Sequence, residues 1–174
     1  MKFKTLLLFL FFLFVLGDKV YSAEDATLYA TAIKQAKAGN SDFAFMQYRS
    51  ILIGFPNSKY REYALFATGE YYFSFPKYEE AKNAFTTLVT DYPNFKGKLF
   101  AMAYLFKMAE LKKDMAFKEK IRKEIINLQQ VSLIFRKSKE YKYHSPMNRT
   151  FKAIFYIDMI EFYSEGELFA RIFY

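Results

Sequence analysis

Residues that could do chemistry are few in this 174-residue sequence, and their spacing does not form a catalytic site. The single histidine, His144, precedes Ser145 and Pro146 in a turn-forming stretch and has no carboxylate at a fixed spacing. The paired acids Glu79 and Glu80 lie in a helical pattern, where adjacent side chains point about 100° apart and normally face solvent. The absence of cysteine and the single histidine exclude thiolate and multi-histidine metal sites, and no glycine-rich phosphate loop is present. We therefore expect no enzyme activity, no cofactor and no metal.

The first 22 residues have the three-part pattern of a secretory signal peptide. Two lysines precede an unbroken apolar run from Leu6 to Leu16, and small residues follow near Ser22 and Ala23. At about 1.5 Å per residue, a helix of this length reaches only about half of a ~30 Å hydrocarbon core. We expect cleavage after Ser22 or after Ala23, with an uncleaved anchor as the alternative. Export to the periplasm follows, and the lack of cysteine excludes a lipid anchor.

An internal repeat links two segments that lie 37 residues apart. The matching pairs are Leu28 and Leu65, Ala44 and Ala81, Tyr48 and Phe85, Ile51 and Leu88, Pro56 and Pro93. Within the later segment, Tyr78, Ala81 and Phe85 recur at helical spacing and form one apolar face. Gly69, in the preceding helix, leaves room for an aromatic ring of its partner, and Pro76 lies in the turn between them.

A further step of 37 residues predicts a third, degenerate helix pair. Its first helix covers 98–111, and its second runs from about 116 to 135. The apolar face of that second helix is formed by Ile121, Ile125 and Leu128. Lys118 and Arg122 stand where the earlier unit has an alanine and an aromatic residue, so the repeat is not strict here.

The repeated residues fall at the marker positions of the tetratricopeptide repeat (TPR). The first-helix markers are matched by Leu65, Thr68, Gly69 and Tyr72. Ala81 and Phe85 match the alanine and aromatic markers of the second helix, and Pro93 closes the unit. The sequence resembles this family over about residues 24–111, with leucine in place of the usual tryptophan at position 65.

Export and repeat units that end in FPNS and YPNF make the chain similar to TPR proteins of the bacterial cell envelope. Examples are BamD-like outer-membrane assembly proteins and Tol–Pal coordinator-like proteins. The chain departs from the BamD-like pattern because it lacks the lipid-bearing cysteine, has fewer repeats and ends in a different kind of segment.

The resemblance implies a concave groove lined by the first helix of each pair. The residues it places in this groove are Tyr29, Ile33, Tyr63, Phe66, Glu70, Phe73, Phe100, Ala103, Lys107 and Glu110. Exposed aromatic side chains there would suit an extended peptide or a helix from a partner. The alternative is that Phe66 and Phe73 are covered by neighbouring helices or by the N-terminal segment.

From Ser138 onward the pattern changes from helical to alternating, which is typical of strands. We predict a three-stranded antiparallel β-meander with connections at 145–148 and 164–167. The long strand at 150–163 would be apolar on both faces, unless a bulge redistributes its residues. One face should then pack on the last helices, and the other would meet a partner or another copy. The alternative is that the meander only caps the helices.

Basic residues concentrate at 96–123, where nine face three acidic ones. This region either contacts an anionic surface, such as lipid headgroups or an acidic partner, or is a solvated helix face. Export argues against a nucleic-acid partner.

The predicted fold is therefore mainly α: a TPR-like stack of about three antiparallel helix pairs with a C-terminal β-meander. We assign 1–22 to the signal peptide, 23–135 to the helical repeats and 138–174 to the meander. The predicted function is that of a periplasmic adaptor that binds a peptide or helix of an envelope protein partner. The alternative is a structural accessory or envelope-assembly component that associates through its β tail and basic face, as a homo-oligomer or at a membrane surface.

Overall fold

The fold was analysed in a computed structural model that describes residues 23–130 and 140–174. The predicted signal peptide and the predicted boundary between helices and strands therefore lie outside the described residues. Within the described ranges, six helices precede four strands. The helices are α1 (23–37), α2 (Ser41–Gly54), α3 (Arg61–Ser74), α4 (Tyr78–Asp91), α5 (Lys98–Leu111) and α6 (Met115–Gln130). The strands are β1 (Glu140–His144), β2 (Thr150–Phe155), β3 (Met159–Ser164) and β4 (Glu167–Phe173).

The predicted mainly helical fold with a C-terminal antiparallel sheet is confirmed, and the 37-residue period is present in the backbone itself. The helices α2, α4 and α6 begin at Ser41, Tyr78 and Met115, two steps of 37 residues. Equivalent helix ends also share their geometry. Phe55 after α2 has φ −132° and ψ 70°, and Tyr92 after α4 has φ −124° and ψ 66°. Both donate a backbone hydrogen bond of 3.0 Å to the carbonyl four residues earlier, which closes the helix in the same way.

The residues that define the repeat lie in the core between consecutive helices. The second-helix markers Ala44, Tyr48, Ile51, Ala81, Phe85 and Leu88 are all fully buried. Gly69 lies directly under the ring of Phe85, since a Cβ atom built on this glycine would be 2.7 Å from the Cζ atom of that ring. The glycine that interrupts α3 therefore provides space for close packing between α3 and α4, as its position in the repeat predicted.

The third helix pair begins in register with the other two, and its helix α6 is the last helix in the described part of the chain. Ile121 and Ile125 are buried, whereas Leu128 is 45% exposed. Lys118 pairs with Glu110 at 2.9 Å, and Arg122 donates to the carbonyl of Phe173 at 2.8 Å. Charged residues are tolerated at these marker positions because no further helix pair covers this side of α6 in the described part of the chain. Among the helices at 23–130, none is both long and apolar enough to cross a bilayer.

The sheet has four antiparallel strands in the order β1-β2-β3-β4, so the prediction of three strands was wrong in this detail. The segment at 150–163 is not one strand, because the chain reverses at residues 156–158 between β2 and β3. Phe155 pairs with Ile160, and Ala153 pairs with Phe162. The three-residue connection places apolar residues from both predicted faces on one side of the sheet. This side is buried, and the expected second apolar face does not form.

The buried side of the sheet packs on the helices and shares one apolar core with them. Leu65, Phe85, Phe100 and Ile125 of the helices belong to the same buried cluster as Phe151, Ile160, Phe162 and Ile172 of the strands. A second cluster joins α1, α2 and α3 and includes Met147 from the connection between β1 and β2. The sheet is thus an integral layer of the described fold.

Candidate partner-binding groove

The sheet covers much of the face of α3 and α5 on which the repeat pattern predicts the groove. Phe66 of α3 is fully buried, with its ring centre 5.2 Å from that of Tyr143 and 6.1 Å from that of Phe151. Phe100 of α5 is 1% exposed and lies 5.4 Å from Phe151 and 6.1 Å from Phe162, measured between ring centres. The repeat pattern predicted that both of these aromatic side chains line the groove. In the structure both are buried, and the sheet of the same chain packs directly on them.

The remaining groove residues toward the C-terminal end are also occupied by contacts within the chain. The ring of Phe73 packs against Phe169 of β4, with 5.8 Å between ring centres. Ala103 is buried. Lys107 is partly exposed and forms an ion pair with Glu110 at 3.2 Å.

An open pocket remains at the N-terminal end of the same groove. It has a volume of about 240 Å³ and lies between α1, α3 and the start of the sheet. Its lining is formed by Tyr29, Ile33, Lys37, Tyr63, His144, Ser145, Pro146 and Asn148. Three of these, Tyr29, Ile33 and Tyr63, are groove residues implied by the resemblance. The structure therefore divides the predicted groove into a covered part and this pocket.

The walls of the pocket are aromatic, and their hydroxyl groups stay protonated at neutral pH. Tyr29 stacks on Tyr60 with ring centres 4.3 Å apart and lies 5.6 Å from Tyr63. Burial, followed by the proximity of Tyr63, Tyr60 and Glu62, raises the pKa of Tyr29 to about 12. Lys37 and His144 also line the pocket, and the Nε2 atom of His144 lies 3.2 Å from the Oδ1 atom of Asn148. The pocket thus combines apolar walls with hydrogen-bonding side chains and the positively charged Lys37.

The connection between β1 and β2, residues 145–149, forms one side of the pocket and is itself inserted into the groove. We call this connection the β1–β2 turn. Ser145, Pro146 and Met147 are buried, which is unusual for a turn. The hydroxyl of the fully buried Tyr48 donates to the carbonyl of Pro146 at 2.9 Å. The turn is therefore seated on the helices by both apolar and polar contacts.

Glu70 lies beneath the β1–β2 turn and is fully buried. Within the described residues, neither of its carboxylate oxygens has a hydrogen-bond partner of good geometry, although Ser145 and the backbone of Met147 lie close by. Burial raises the pKa of Glu70 to about 8, and the nearby positive charge of Arg149 offsets only part of this rise. Sequence reasoning placed Glu70 on an open surface, whereas it lies at the centre of the interface between helices and sheet.

The basic residues at 96–123 are partly neutralised by ion pairs. Five of the nine form such pairs, namely Lys107, Lys112, Lys118, Arg122 and Lys123. The other four are Lys96, Lys98, Lys113 and Lys120, and they make no ion pair with a described residue. Whether this region contacts an anionic surface stays a prediction.

Across residues 23–130 and 140–174, no group of three or more histidine or acidic side chains is placed to hold a metal ion. His144 is exposed and borders the pocket, so the one histidine of the chain lies closer to the candidate site than its sequence context suggested.

Sequence reasoning did not predict that the turn would be buried in the groove. Its residues, SPMN, are typical of an exposed turn. The apolar Met147 was the only indication, and a single methionine does not distinguish a core residue from an exposed one.

A scan against models of known protein families finds no match for this chain, and a search of curated proteins finds no relative.

Proposed function

We propose that this chain is a protein-interaction module of the helical-repeat type that binds a segment of a partner protein at the groove pocket. The observation that carries this proposal is the pocket of about 240 Å³, because it is lined by three groove residues named from the repeat pattern. The sheet covers Phe66 and Phe100 of the predicted groove, whereas this pocket is open.

The chemistry of the pocket favours a polypeptide segment with an apolar or aromatic side chain. Tyr29, Ile33 and Tyr63 offer apolar contact, and aromatic walls provide large contact areas at low conformational cost. Lys37 and Asn148 can bind carbonyl or carboxylate oxygens of the same segment. This composition resembles that of interface hot spots more than that of a catalytic centre.

The proposal of an exported, periplasmic adaptor rests on the sequence of residues 1–22 and on the resemblance to envelope TPR proteins. It is tested by expressing the full chain in a Gram-negative bacterium and determining the N-terminus of the protein in each cell fraction. We expect a periplasmic product that begins at Ala23 or Glu24. A cytoplasmic product that retains Met1 or Lys2 contradicts export but not the binding proposal.

Binding at the pocket is tested by site-specific photo-crosslinking in cells, with the photoreactive residue at Lys37 on the pocket rim. Arg49, which is exposed on α2, provides a matched control position. We expect one discrete protein adduct at Lys37, identified by mass spectrometry, that is absent at Arg49 and is lost with Tyr63→Ala. Equal labelling at both positions, or labelling that Tyr63→Ala leaves unchanged, would overturn the assignment of the pocket.

Association through the β tail is less well supported, because the apolar side of the sheet is already buried against the helices. Such association would have to use the outer side or an edge of the sheet. A deletion of residues 139–174 would not separate the two hypotheses, because it would expose Phe66 and Phe100.

A further inference from the structure

The β1–β2 turn occupies part of the groove in the way that a bound segment of another protein would. It contributes Met147 to the apolar cluster of the first helices, and it receives a hydrogen bond from Tyr48. Arg149 reaches across to α3, where its guanidinium donates to the Oγ atom of Ser74 at 2.8 Å. Protein grooves recognise peptides through the same kinds of contact, namely burial of apolar side chains and hydrogen bonds to side chains of the groove.

The seat of this turn also contains polar groups that the fold does not satisfy. Both carboxylate oxygens of Glu70 and the hydroxyl of Tyr143 are buried without a hydrogen-bond partner of good geometry in the described residues, although Ser145 and the backbone of Met147 lie close to Glu70. A buried polar group without a partner costs free energy, and the cost is larger when the group is charged. The turn is therefore more stable in its seat when the carboxyl group of Glu70 is neutral.

Several titratable groups face Glu70 from the elements packed around it. They are Tyr48 of α2, Tyr104 of α5, Tyr143 of β1, Arg149 of the β1–β2 turn and Glu165 of the connection between β3 and β4. The three tyrosines are neutral, because burial raises the pKa of each. The buried position disfavours the ionised form of Glu70 most strongly, and Glu165 also disfavours it, whereas Arg149, the hydroxyl of Ser145 and the backbone of Met147 favour it. The effect of burial is the largest of these, so ionisation works against the seated turn.

We propose that the β1–β2 turn is a releasable occupant of the groove, held while Glu70 is neutral and released when Glu70 ionises. Release would extend the pocket into the space that Met147 now fills. That space belongs to a cluster rich in small side chains, with Ala32, Ala36, Ala44, Ala64 and Ala67. A partner segment that takes the place of the turn would carry a long apolar side chain such as methionine or leucine. This last step rests on the proposed function of the pocket, whereas release of the turn does not.

Hydrogen exchange of backbone amides tests the release on the full chain without any partner. The amides of Ser145 and Asn148 report on the turn, because they donate to the carbonyls of Arg149 and Ser145. Amides in the middle of α5, at Met102 and Phe106, report on the whole fold. Protection factors are measured at pH 5 and pH 8 and corrected for the intrinsic rates. The matched variant Glu70→Gln keeps the shape of the side chain and cannot ionise.

We expect the turn amides to be at least tenfold less protected than the α5 amides at both pH values, which indicates opening of the turn alone. In the wild-type protein their protection should fall at least tenfold from pH 5 to pH 8, and in Glu70→Gln it should stay constant. Turn amides that exchange as slowly as α5 amides, or an equal pH dependence in the variant, would overturn the proposal. Failure of crosslinking at Lys37 would instead contradict the proposed function and leave the release of the turn unaffected.

Discussion

The ring of Phe66 on α3 meets the ring of Tyr143 on β1 edge-on, with 5.2 Å between the ring centres and 72° between the ring planes. This contact joins a helix that lines the concave groove to the strand that covers it. The arrangement is the favourable one for aromatic pairs, in which the positive edge of one ring faces the negative face of the other. The groove implied by the repeat pattern is thus occupied from within the chain, and the predictions below concern the contacts that keep it so.

Phe100 is a central anchor of the interface between helices and sheet. Its ring lies within 6.1 Å of the rings of Tyr141, Tyr143, Phe151 and Phe162, measured between ring centres. We predict that Phe100→Ala lowers the free energy of unfolding by about 3–5 kcal/mol, because it leaves a cavity under the sheet. Phe43→Ala is the matched control, since Phe43 is 62% exposed, and its effect should stay within about 0.5 kcal/mol. Urea denaturation followed by circular dichroism measures both, and equal effects would contradict burial of Phe100.

Gly69 is required for close packing between α3 and α4. Alanine at this position would place its Cβ atom 2.7 Å from the ring of Phe85. Overpacking costs about 1–3 kcal/mol, and we expect about 2–3 kcal/mol here because three atoms of the Phe85 ring would lie within 2.9 Å of the added Cβ. The better helix propensity of alanine returns about 1 kcal/mol. We predict a net loss of about 1–2 kcal/mol in thermal or urea denaturation. Gly54→Ala has no atom within 4 Å of the added Cβ and should be neutral or slightly stabilising. A neutral Gly69→Ala would show that α3 and α4 are not in this contact.

The hydrogen bond from Tyr48 to Pro146 ties the β1–β2 turn to α2. Tyr48→Phe keeps the ring but leaves the buried carbonyl of Pro146 without this donor. We predict a loss of about 1–2 kcal/mol in the free energy of unfolding. In the control Tyr60→Phe, the hydroxyl removed makes no hydrogen bond with a described residue, so a change below about 0.5 kcal/mol is expected. If the two variants behave alike, the turn is not held by Tyr48.

Because of Glu70, the free energy of unfolding should fall as the pH rises. An acidic residue in an ion pair usually has the opposite effect. The pKa of Glu70 is about 8 in the folded chain and close to the ordinary 4.5 in the unfolded chain. The stabilisation that comes from its neutral form is complete below pH 4.5 and is lost as the pH rises toward 8. Relative to Glu70→Gln, the wild-type protein should therefore lose on the order of 3 kcal/mol between pH 5 and pH 8. Urea denaturation at each pH measures the difference, and a constant difference would show that Glu70 does not titrate in this window.

The helical part of the fold could be predicted because its signals are local and repeated. The matched pairs Ala44 with Ala81 and Tyr48 with Phe85 indicate both the helices and the surfaces on which they pack. The first residue of α5 could also be predicted, because Lys98 lies 37 residues after Arg61, where α3 begins.

The sheet could be predicted only in outline, since its strand boundaries depend on a turn with weak local signals. The reversal at residues 156–158 contains neither glycine nor proline, and apolar residues on both sides of it conceal the break. If residues 150–163 formed one strand, Ile160 and Phe162 would lie on the opposite side from Phe155, whereas in the structure Ile160 pairs with Phe155.

The candidate site was predicted in its residues but not in its surroundings. The positions of Tyr29 and Tyr63 follow from helical spacing, which sequence shows well. The covering of Phe66 and Glu70 depends on contacts between residues about 75 positions apart, such as that of Ser74 with Arg149. No pattern in a single sequence encodes such a contact, because it depends on how two elements that are distant in the sequence pack together.

A double-mutant cycle between Phe66 and Tyr143 tests most directly whether the sheet of this chain occupies the groove. Each residue is changed to leucine, singly and together, and the free energy of unfolding is measured in urea. The pair Phe66 and Phe43 serves as the control, because Phe43 is 62% exposed and has no ring contact with Phe66, and this pair should be additive within about 0.5 kcal/mol. We predict a coupling energy of about 0.5–1.5 kcal/mol between Phe66 and Tyr143. A coupling energy indistinguishable from that of the control pair would contradict the occupied groove.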